Sequence, residues 1–289
     1  MLRRLELILV LASLILLSSC RDGLGPDDPL VWAASEGDYA TVKSMVERGH
    51  DVEKRNPVGT TALIAASSSG HKEIVQFLMD KRANVNANSQ DGRTALMHSA
   101  MNGHSEILAM LLDRGADINR NDNDGRTALM FAAFGHIDAT RLLLGAGADV
   151  NAKANNGMTA LMWAATAKDS QSVRAILEAN SVVDAKDNEG ETALLHAAWE
   201  GDPESVKALT GKGADVNART NESAYYHPGY STALMFAASE GHIETVRALL
   251  ASGASLRAKN KAGETALTIA LRGGNSEMVQ VLKTAGAKK

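Results

Sequence analysis

A three-residue motif, Thr-Ala-Leu, recurs along this 289-residue chain at nearly constant intervals. The intervals are 33, 33, 32, 33, 40 and 33 residues, and the copies begin at Thr61, Thr94, Thr127, Thr159, Thr192, Thr232 and Thr265. Leu30 lies 33 residues before Leu63 and marks a further copy that lacks the threonine. A fixed period of this length is typical of repeat architectures, in which each unit buries its apolar face only against its neighbours. The period therefore predicts about eight stacked units.

Each repeat has the residues for two helices and a loop. The threonine can cap a first helix, and the leucine and an alanine pair, such as Ala132 and Ala133, share one face of that helix. A glycine such as Gly103 then predicts a left-handed turn. The second helix carries one apolar stripe, as in residues 107–112. The segment Gly-Ala-Asp-Val-Asn, followed by polar residues and Asp-Gly, predicts a hairpin-like finger between repeats.

These features resemble the ankyrin repeat over residues 29–289: the 33-residue period, the Gly-x-Thr-x-Leu start, the paired alanines, the Gly-His turn and the Gly-Ala-Asp-Val-Asn end. The family usually has Thr-Pro-Leu-His, whereas here alanine replaces the proline and the histidine position holds other residues. The resemblance implies an all-α ankyrin-repeat solenoid with short β-hairpin-like fingers. It also implies a non-enzymatic module that binds another protein.

Residues 1–19 differ from the repeats. Arg3 and Arg4 are followed by an almost continuous apolar run over residues 5–17, interrupted by Glu6 and Ser13, and by two serines before Cys20. This order predicts a secretory signal peptide, and the run is shorter than the ~20 residues of a membrane-spanning helix. The segment Leu-Ser-Ser-Cys resembles the lipobox of bacterial lipoproteins, in which the signal is removed before a cysteine that becomes lipidated.

We therefore expect Cys20 to carry a lipid anchor and residues 20–28 to form a polar tether on the periplasmic side of a bacterial membrane. Arg21 replaces the Asp that retains many enterobacterial lipoproteins in the inner membrane, which favours the outer membrane. The alternative is a soluble periplasmic or secreted protein in which Cys20 is an incidental thiol. Because Cys20 is the only cysteine, an intrachain disulfide is excluded.

The 40-residue interval contains a seven-residue insertion in the finger that spans residues 219–231. Three of the four tyrosines of the chain lie there, Tyr225, Tyr226 and Tyr230, together with His227. Exposed tyrosines are favoured at interfaces because a large ring binds with little loss of entropy. We expect this finger to contact a partner. The alternative is that it folds back onto its own repeat.

Two smaller departures interrupt the period. A one-residue deletion between Ala133 and Gly135 gives the 32-residue interval and places Phe134 in the turn between helices. Lys168 stands where the other repeats have glycine. If the turn is kept, this lysine is strained by about 1 kcal/mol.

A second candidate interface is a column of large side chains on the first helices, two positions after the motif leucine. In the ankyrin family this part of the helix lies toward the concave surface beside the fingers. The column and the aromatic residues just beyond the alanine pair comprise His98, Phe131, Trp163, His196, Phe236, Phe134 and Trp199. The alternative is sideways packing between neighbouring first helices, in which case burial would remove the rings from the interface.

Other functional classes have no support in the sequence. The formal net charge is −4, so no basic field favours nucleic acid. The chain has no P-loop or dinucleotide-binding pattern, and His98 and His196, three repeats apart, belong to no His-x-x-x-His pair or Cys/His zinc set. We therefore predict no enzymatic activity, no cofactor and no metal site.

The predicted partner is a periplasmic or envelope protein, bound by a monomer of this chain. One role is that of an inhibitor or immunity protein that covers the active site of an envelope enzyme. The alternatives are a scaffold or stabiliser of an envelope enzyme, for example in oxidative-stress defence, and a host-directed effector.

Overall fold

The computed structural model describes residues 28–222 and 227–288. Over these two ranges the chain forms sixteen helices and no strands, and no helix is long and apolar enough to cross a membrane. The predicted signal peptide, the lipidation site Cys20, and Tyr225 and Tyr226 lie outside the described residues. Asp28, placed by the sequence at the end of the tether, caps the first helix with its carboxylate.

The helices come in consecutive pairs, and they divide between two compact units. The first unit contains the described residues up to Ala132 together with 138–149. Its helices are α1 (Pro29–Glu36), α2 (Tyr39–Glu47), α3 (Ala62–Ser69), α4 (Lys72–Asp80), α5 (Ala95–Met101), α6 (Ser105–Asp113), α7 (Ala128–Ala132) and, except for its first residue, α8 (Ile137–Gly145). Each first helix of a pair packs against the next first helix, in the order α1, α3, α5, α7.

The second unit contains residues 133–137 and the chain from Val150 onward. Its helices are α9 (Ala160–Thr166), α10 (Ser170–Glu178), α11 (Ala193–Glu200), α12 (Pro203–Gly211), α13 (Ala233–Glu240), α14 (Ile243–Ala251), α15 (Ala266–Arg272) and α16 (Ser276–Thr284). The first helices again stack in order, α9 on α11 on α13 on α15. Within each unit this is the helix-pair solenoid that the 33-residue period predicts.

Most motif threonines begin their helix as predicted. The hydroxyl oxygens of Thr61, Thr94, Thr127, Thr159 and Thr265 accept the backbone N–H three residues on. The prediction is wrong for Thr192 and Thr232, whose buried hydroxyls have no hydrogen-bond partner. Both keep the extended backbone of the other caps, with φ −103° and −109°, so α11 and α13 begin in the same register without this bond.

The turns between paired helices confirm the left-handed geometry. Gly70 ends α3 at φ +83° and Gly241 ends α13 at φ +81°. Lys168 keeps the same turn at φ +57°, so the predicted strain of about 1 kcal/mol is present. The one-residue deletion shortens α7 to five residues and is followed by Gly135 at φ +100°.

The Gly-His turns join successive repeats. The Nε2 atom of His71 lies 2.9 Å from the carbonyl oxygen of Ser35, and that of His104 lies 3.1 Å from the carbonyl of Ser68. In the second unit, Nε2 of His242 lies 3.1 Å from the carbonyl of Trp199. The recurrence of histidine at this position is therefore structural.

The fingers are stacked by backbone hydrogen bonds. The N–H of Asn123 donates to the carbonyl of Asp91 at 3.0 Å in the first unit, and the N–H of Asn221 donates to that of Glu189 at 2.9 Å in the second. Isolated antiparallel bridges close several fingers, including the inserted one, where Arg219 pairs with Thr232. The hairpin-like character predicted for the fingers is confirmed.

Candidate functional site

Most of the column of large side chains on the first helices is buried. The exposed fractions of Phe131, Trp163 and Phe236 are 5%, 4% and 3%. His196 is buried as well, while Phe134 and Trp199 are half-buried. The rings pack sideways, as in the edge-to-face contact of Phe134 with Trp163, whose centroids lie 5.9 Å apart. Burial removes Phe131, Trp163, His196 and Phe236 from the expected partner surface, because a partner cannot reach them without opening the core.

In the first unit, Phe131 lies under two arginines. The guanidinium carbons of Arg93 and Arg126 lie 5.2 and 5.3 Å from its ring centroid. The fully buried carboxylate of Asp122 sits between them, with Oδ2 at 2.8 Å from Arg126 Nη2 and 3.5 Å from Arg93 Nε. Stacking of these cations on the ring, and their pairing with a buried anion, connect two neighbouring fingers with α7. This cluster is structural.

His98 is partly buried beside Arg93. Burial is the main cause that lowers the pKa of His98 to about 4, and the positive charge of Arg93 lowers it further. Its Nδ1 atom is buried without a hydrogen-bond partner. His98 is therefore neutral in the folded protein at pH 7, and it offers no charge to a ligand.

This histidine makes stability depend on pH. An unperturbed histidine has a pKa of 6.5, so below that pH the unfolded chain takes up a proton that folded His98 refuses until about pH 4. The stability conferred by a neutral His98 is thus complete above pH 6.5 and is lost as pH falls toward 4. We expect urea unfolding of the wild type to lose about 2 kcal/mol more than that of His98→Gln between pH 7.5 and 5.0. Parallel pH profiles for the two proteins would contradict the assignment.

The described residues of the inserted finger differ in exposure. At His227 the finger folds back, because Nε2 lies 2.5 Å from Oε1 of Glu191 and the ring packs on Phe236 with centroids 4.5 Å apart. Trp199 completes the group, with its ring 5.1 Å from that of Phe236. The interaction with Glu191 and Phe236 buries the His227 side chain, which is thereby removed from the expected partner surface.

Tyr230 points outward from the same finger. Its side chain is exposed, and its backbone adopts φ +61°, a left-handed conformation that is costly for a residue with a side chain. Its hydroxyl donates to the Glu222 carboxylate, and this bond raises the pKa of Tyr230 above its usual value. Among the described residues of the insertion, Tyr230 is the aromatic side chain that a partner can reach.

The side chains of Asp187, Glu191 and His196 come together beside α11. Asp187 and Glu191 lie in the preceding finger, and His196 lies on the helix; their side chains are 8%, 3% and 9% exposed. His196 Nε2 lies 3.5 Å from Oδ2 of Asp187 and 3.5 Å from Oε2 of Glu191. One oxygen or nitrogen of each residue lies within 4.8 Å of the others, a spacing that could hold a metal ion.

A sequence signal for this cluster exists, although the search by His and Cys spacing missed it. Relative to the motif threonine, Asp187, Glu191 and His196 occupy positions −5, −1 and +4. Position +4 is the buried column, and positions −5 and −1 close the finger beside it. The other repeats combine different residues at these positions, as in Ser89, Arg93 and His98.

Comparison with protein families finds matches along most of the chain. The family described as "Ankyrin repeats (3 copies)" matches residues 30–122, 90–154 and 148–220. The family described as "Ankyrin repeats (many copies)" matches residues 234–282. A search of curated proteins gave no significant match.

Proposed function

Because this chain belongs to the ankyrin-repeat family, whose members are generally protein–protein interaction modules, we propose that it binds a partner protein through the inserted finger at residues 219–231. The observation that carries the proposal is the pairing of an exposed, strained Tyr230 with a buried, anchored His227 on one short loop. Backbone strain in an ordered loop persists only where its surroundings impose it, and such positions are concentrated at binding and active sites.

The base of the finger is held in place by several hydrogen bonds. Ser231 Oγ donates to the carbonyl of Pro228 at 2.6 Å, and the N–H of Ser231 donates to Thr220 Oγ1 at 3.1 Å. The N–H of Lys261, in the next finger, donates to the carbonyl of Gly229 at 2.8 Å. A tyrosine on such a base loses little conformational entropy when a partner covers it, which favours affinity.

We further propose that the protein is exported and held by a lipid on Cys20, so that its partner is a periplasmic or envelope protein. Support for this part comes from the leader sequence: a basic start, an apolar run, and Leu-Ser-Ser-Cys at the cleavage point. Within this setting we propose that the chain inhibits an envelope enzyme, since a projecting aromatic residue on a rigid support suits insertion into a cleft. A supporting or stabilising role toward the same enzyme is the competing hypothesis.

The test is capture of the partner from envelope extract with the full-length chain, followed by titration of the purified partner. We expect the chain itself in the membrane fraction and a saturable complex. Tyr230→Ala should weaken binding by roughly 5–30-fold, the loss of about 1–2 kcal/mol seen when an interface aromatic is truncated. Leu271→Ala, at a residue of similar exposure on the last repeat, is the matched control and should bind like the wild type.

Equal affinity of the wild type and Tyr230→Ala for the captured partner would refute the role of the finger. The activity of the captured enzyme then separates the two roles. A fall in turnover that saturates with added chain supports inhibition, whereas unchanged turnover with a higher melting temperature supports stabilisation.

A further inference from the structure

The cluster at Asp187, Glu191 and His196 brings three hydrogen-bond acceptors to one buried point. The hydroxyl of Thr166 donates to the carbonyl of Met162 at 2.9 Å, so its oxygen is the acceptor in the 3.3 Å contact with His196 Nδ1. A proton on Nδ1 leaves a lone pair on Nε2. That nitrogen is buried, has no hydrogen-bond partner, and faces two carboxylate oxygens.

One oxygen of each carboxylate lies in a positioning contact, and the other oxygen lies toward His196 Nε2. Asp187 Oδ1 accepts the N–H groups of Glu189 and Glu191 at 2.9 and 2.8 Å, which leaves Oδ2 toward His196. Glu191 Oε1 contacts His227 Nε2, and Glu191 Oε2 lies 3.5 Å from His196 Nε2. Positioning contacts behind each ligand atom are typical of metal sites, where they orient the ligands and tune their basicity.

The spacing and charge match a divalent ion. Bonds of 2.0–2.1 Å in a tetrahedron place neighbouring ligand atoms roughly 3.3–3.4 Å apart. The two distances from His196 Nε2 to the carboxylates are 3.5 Å. Two carboxylates and a neutral imidazole carry a formal charge of −2, which a divalent cation cancels. Imidazole favours zinc and its neighbours over calcium or magnesium, which prefer all-oxygen sites.

We propose that Asp187, Glu191 and His196 bind one divalent transition-metal ion, with Zn²⁺ as the best chemical match; among the described residues, no further His, Cys, Asp or Glu joins these three as a ligand. The site can be tested separately from the proposed partner contact, since Tyr230 is not one of its ligands. It joins the finger before α11 to the helix itself, and through His227 it also reaches the base of the inserted finger.

The test uses the full-length chain, stripped with a chelator and titrated with ZnSO₄ by calorimetry, with bound zinc counted by elemental analysis after dialysis. We expect one Zn²⁺ per chain. The near-isosteric variants Asp187→Asn, Glu191→Gln and His196→Gln should each fall to none. Glu264→Gln is the matched control, because Glu264 occupies the same repeat position beside Asn260 and Ile269, and it should retain one ion.

Two further measurements keep the proposal testable if a ligand variant fails to fold. Thr166→Val should keep the stoichiometry of one but weaken the affinity by roughly 10–100-fold, as loss of a contact behind a ligand does. Substitution with Co²⁺ should give the intense visible absorption of a tetrahedral ion. Absence of stoichiometric zinc in the wild type, or zinc uptake unchanged in Glu191→Gln and His196→Gln, would show that a proton rather than a metal holds this cluster together.

Discussion

Replacement of Asp122 with alanine is expected to lower the free energy of unfolding by about 3–5 kcal/mol, the typical cost of breaking a buried ion pair from one side. The Asp122 side chain is fully buried, and its Oδ2 lies near both Arg93 and Arg126, which are themselves buried. Its Oδ1 also accepts the N–H groups of Asp124 and Arg126. Removal of this carboxylate leaves Arg93 and Arg126 without the anion that they share. It also removes the hydrogen bonds that hold the turn in which Arg126 lies.

The matched control is Asp124→Asn. Asp124 also pairs with Arg126, at 2.6 Å, but its side chain is 68% exposed, so water replaces most of the interaction. Pairs of this kind contribute roughly 0–1 kcal/mol. Urea unfolding followed by circular dichroism compares the two variants directly. Equal losses for Asp122→Ala and Asp124→Asn would mean that burial of the carboxylate does not determine its contribution.

Replacement of Gly190 with alanine is expected to destabilise the second unit by roughly 2–5 kcal/mol. Gly190 has φ +76°, where a Cβ atom alone costs about 1–2 kcal/mol. That Cβ would also lie 2.7 Å from the backbone nitrogen of Asn221, in the next finger. Relief of the contact requires the fingers to separate, which breaks the hydrogen bond from Asn221 N–H to the carbonyl of Glu189.

Gly263 provides an internal control for backbone strain. It has the same position in its finger and φ +77°, but a Cβ there would meet nothing within 4 Å. Gly263→Ala should therefore lose only the left-handed strain, about 1–2 kcal/mol. Hydrogen exchange at the Asn221 amide should accelerate in Gly190→Ala and stay unchanged in Gly263→Ala. The same loss of stability in both variants would exclude steric contact between fingers as the cause.

The inserted finger shows how far the sequence alone could be interpreted. Its position and length follow from counting the period, and both alternatives for it, partner contact and folding back, could be stated in advance. In the structure, each alternative holds for a different residue. The His227 side chain is buried against Glu191 and Phe236, whereas the Tyr230 side chain is exposed. No pattern within the insertion distinguishes the two side chains, since the distinction depends on residues from other repeats.

For the same reason, the sequence alone could not determine whether the column of large side chains on the first helices is buried or exposed. A period of 33 places Phe131 and Phe236 at equivalent positions, but it does not show whether a neighbouring helix or solvent faces the ring. Stacking of the first helices buries both rings. The cluster of Asp187, Glu191 and His196 was missed because the sequence was searched for His and Cys spacing, whereas this cluster combines one histidine with two carboxylates of the preceding finger, all within the ten residues 187–196.

The sequence by itself determined the repeat, its register, the helix pairs, the left-handed turns and the places where the pattern is interrupted. These features follow from local chemistry: glycine at positive φ, threonine at a helix start, and apolar residues on one helical face. Only the tertiary structure decided which large side chains are buried and which polar groups meet. Many of those outcomes depend on contacts between residues about 30 or more positions apart, such as Glu191 with His227 and Asp122 with Arg93, and local spacing does not specify how side chains from neighbouring repeats are oriented when they stack.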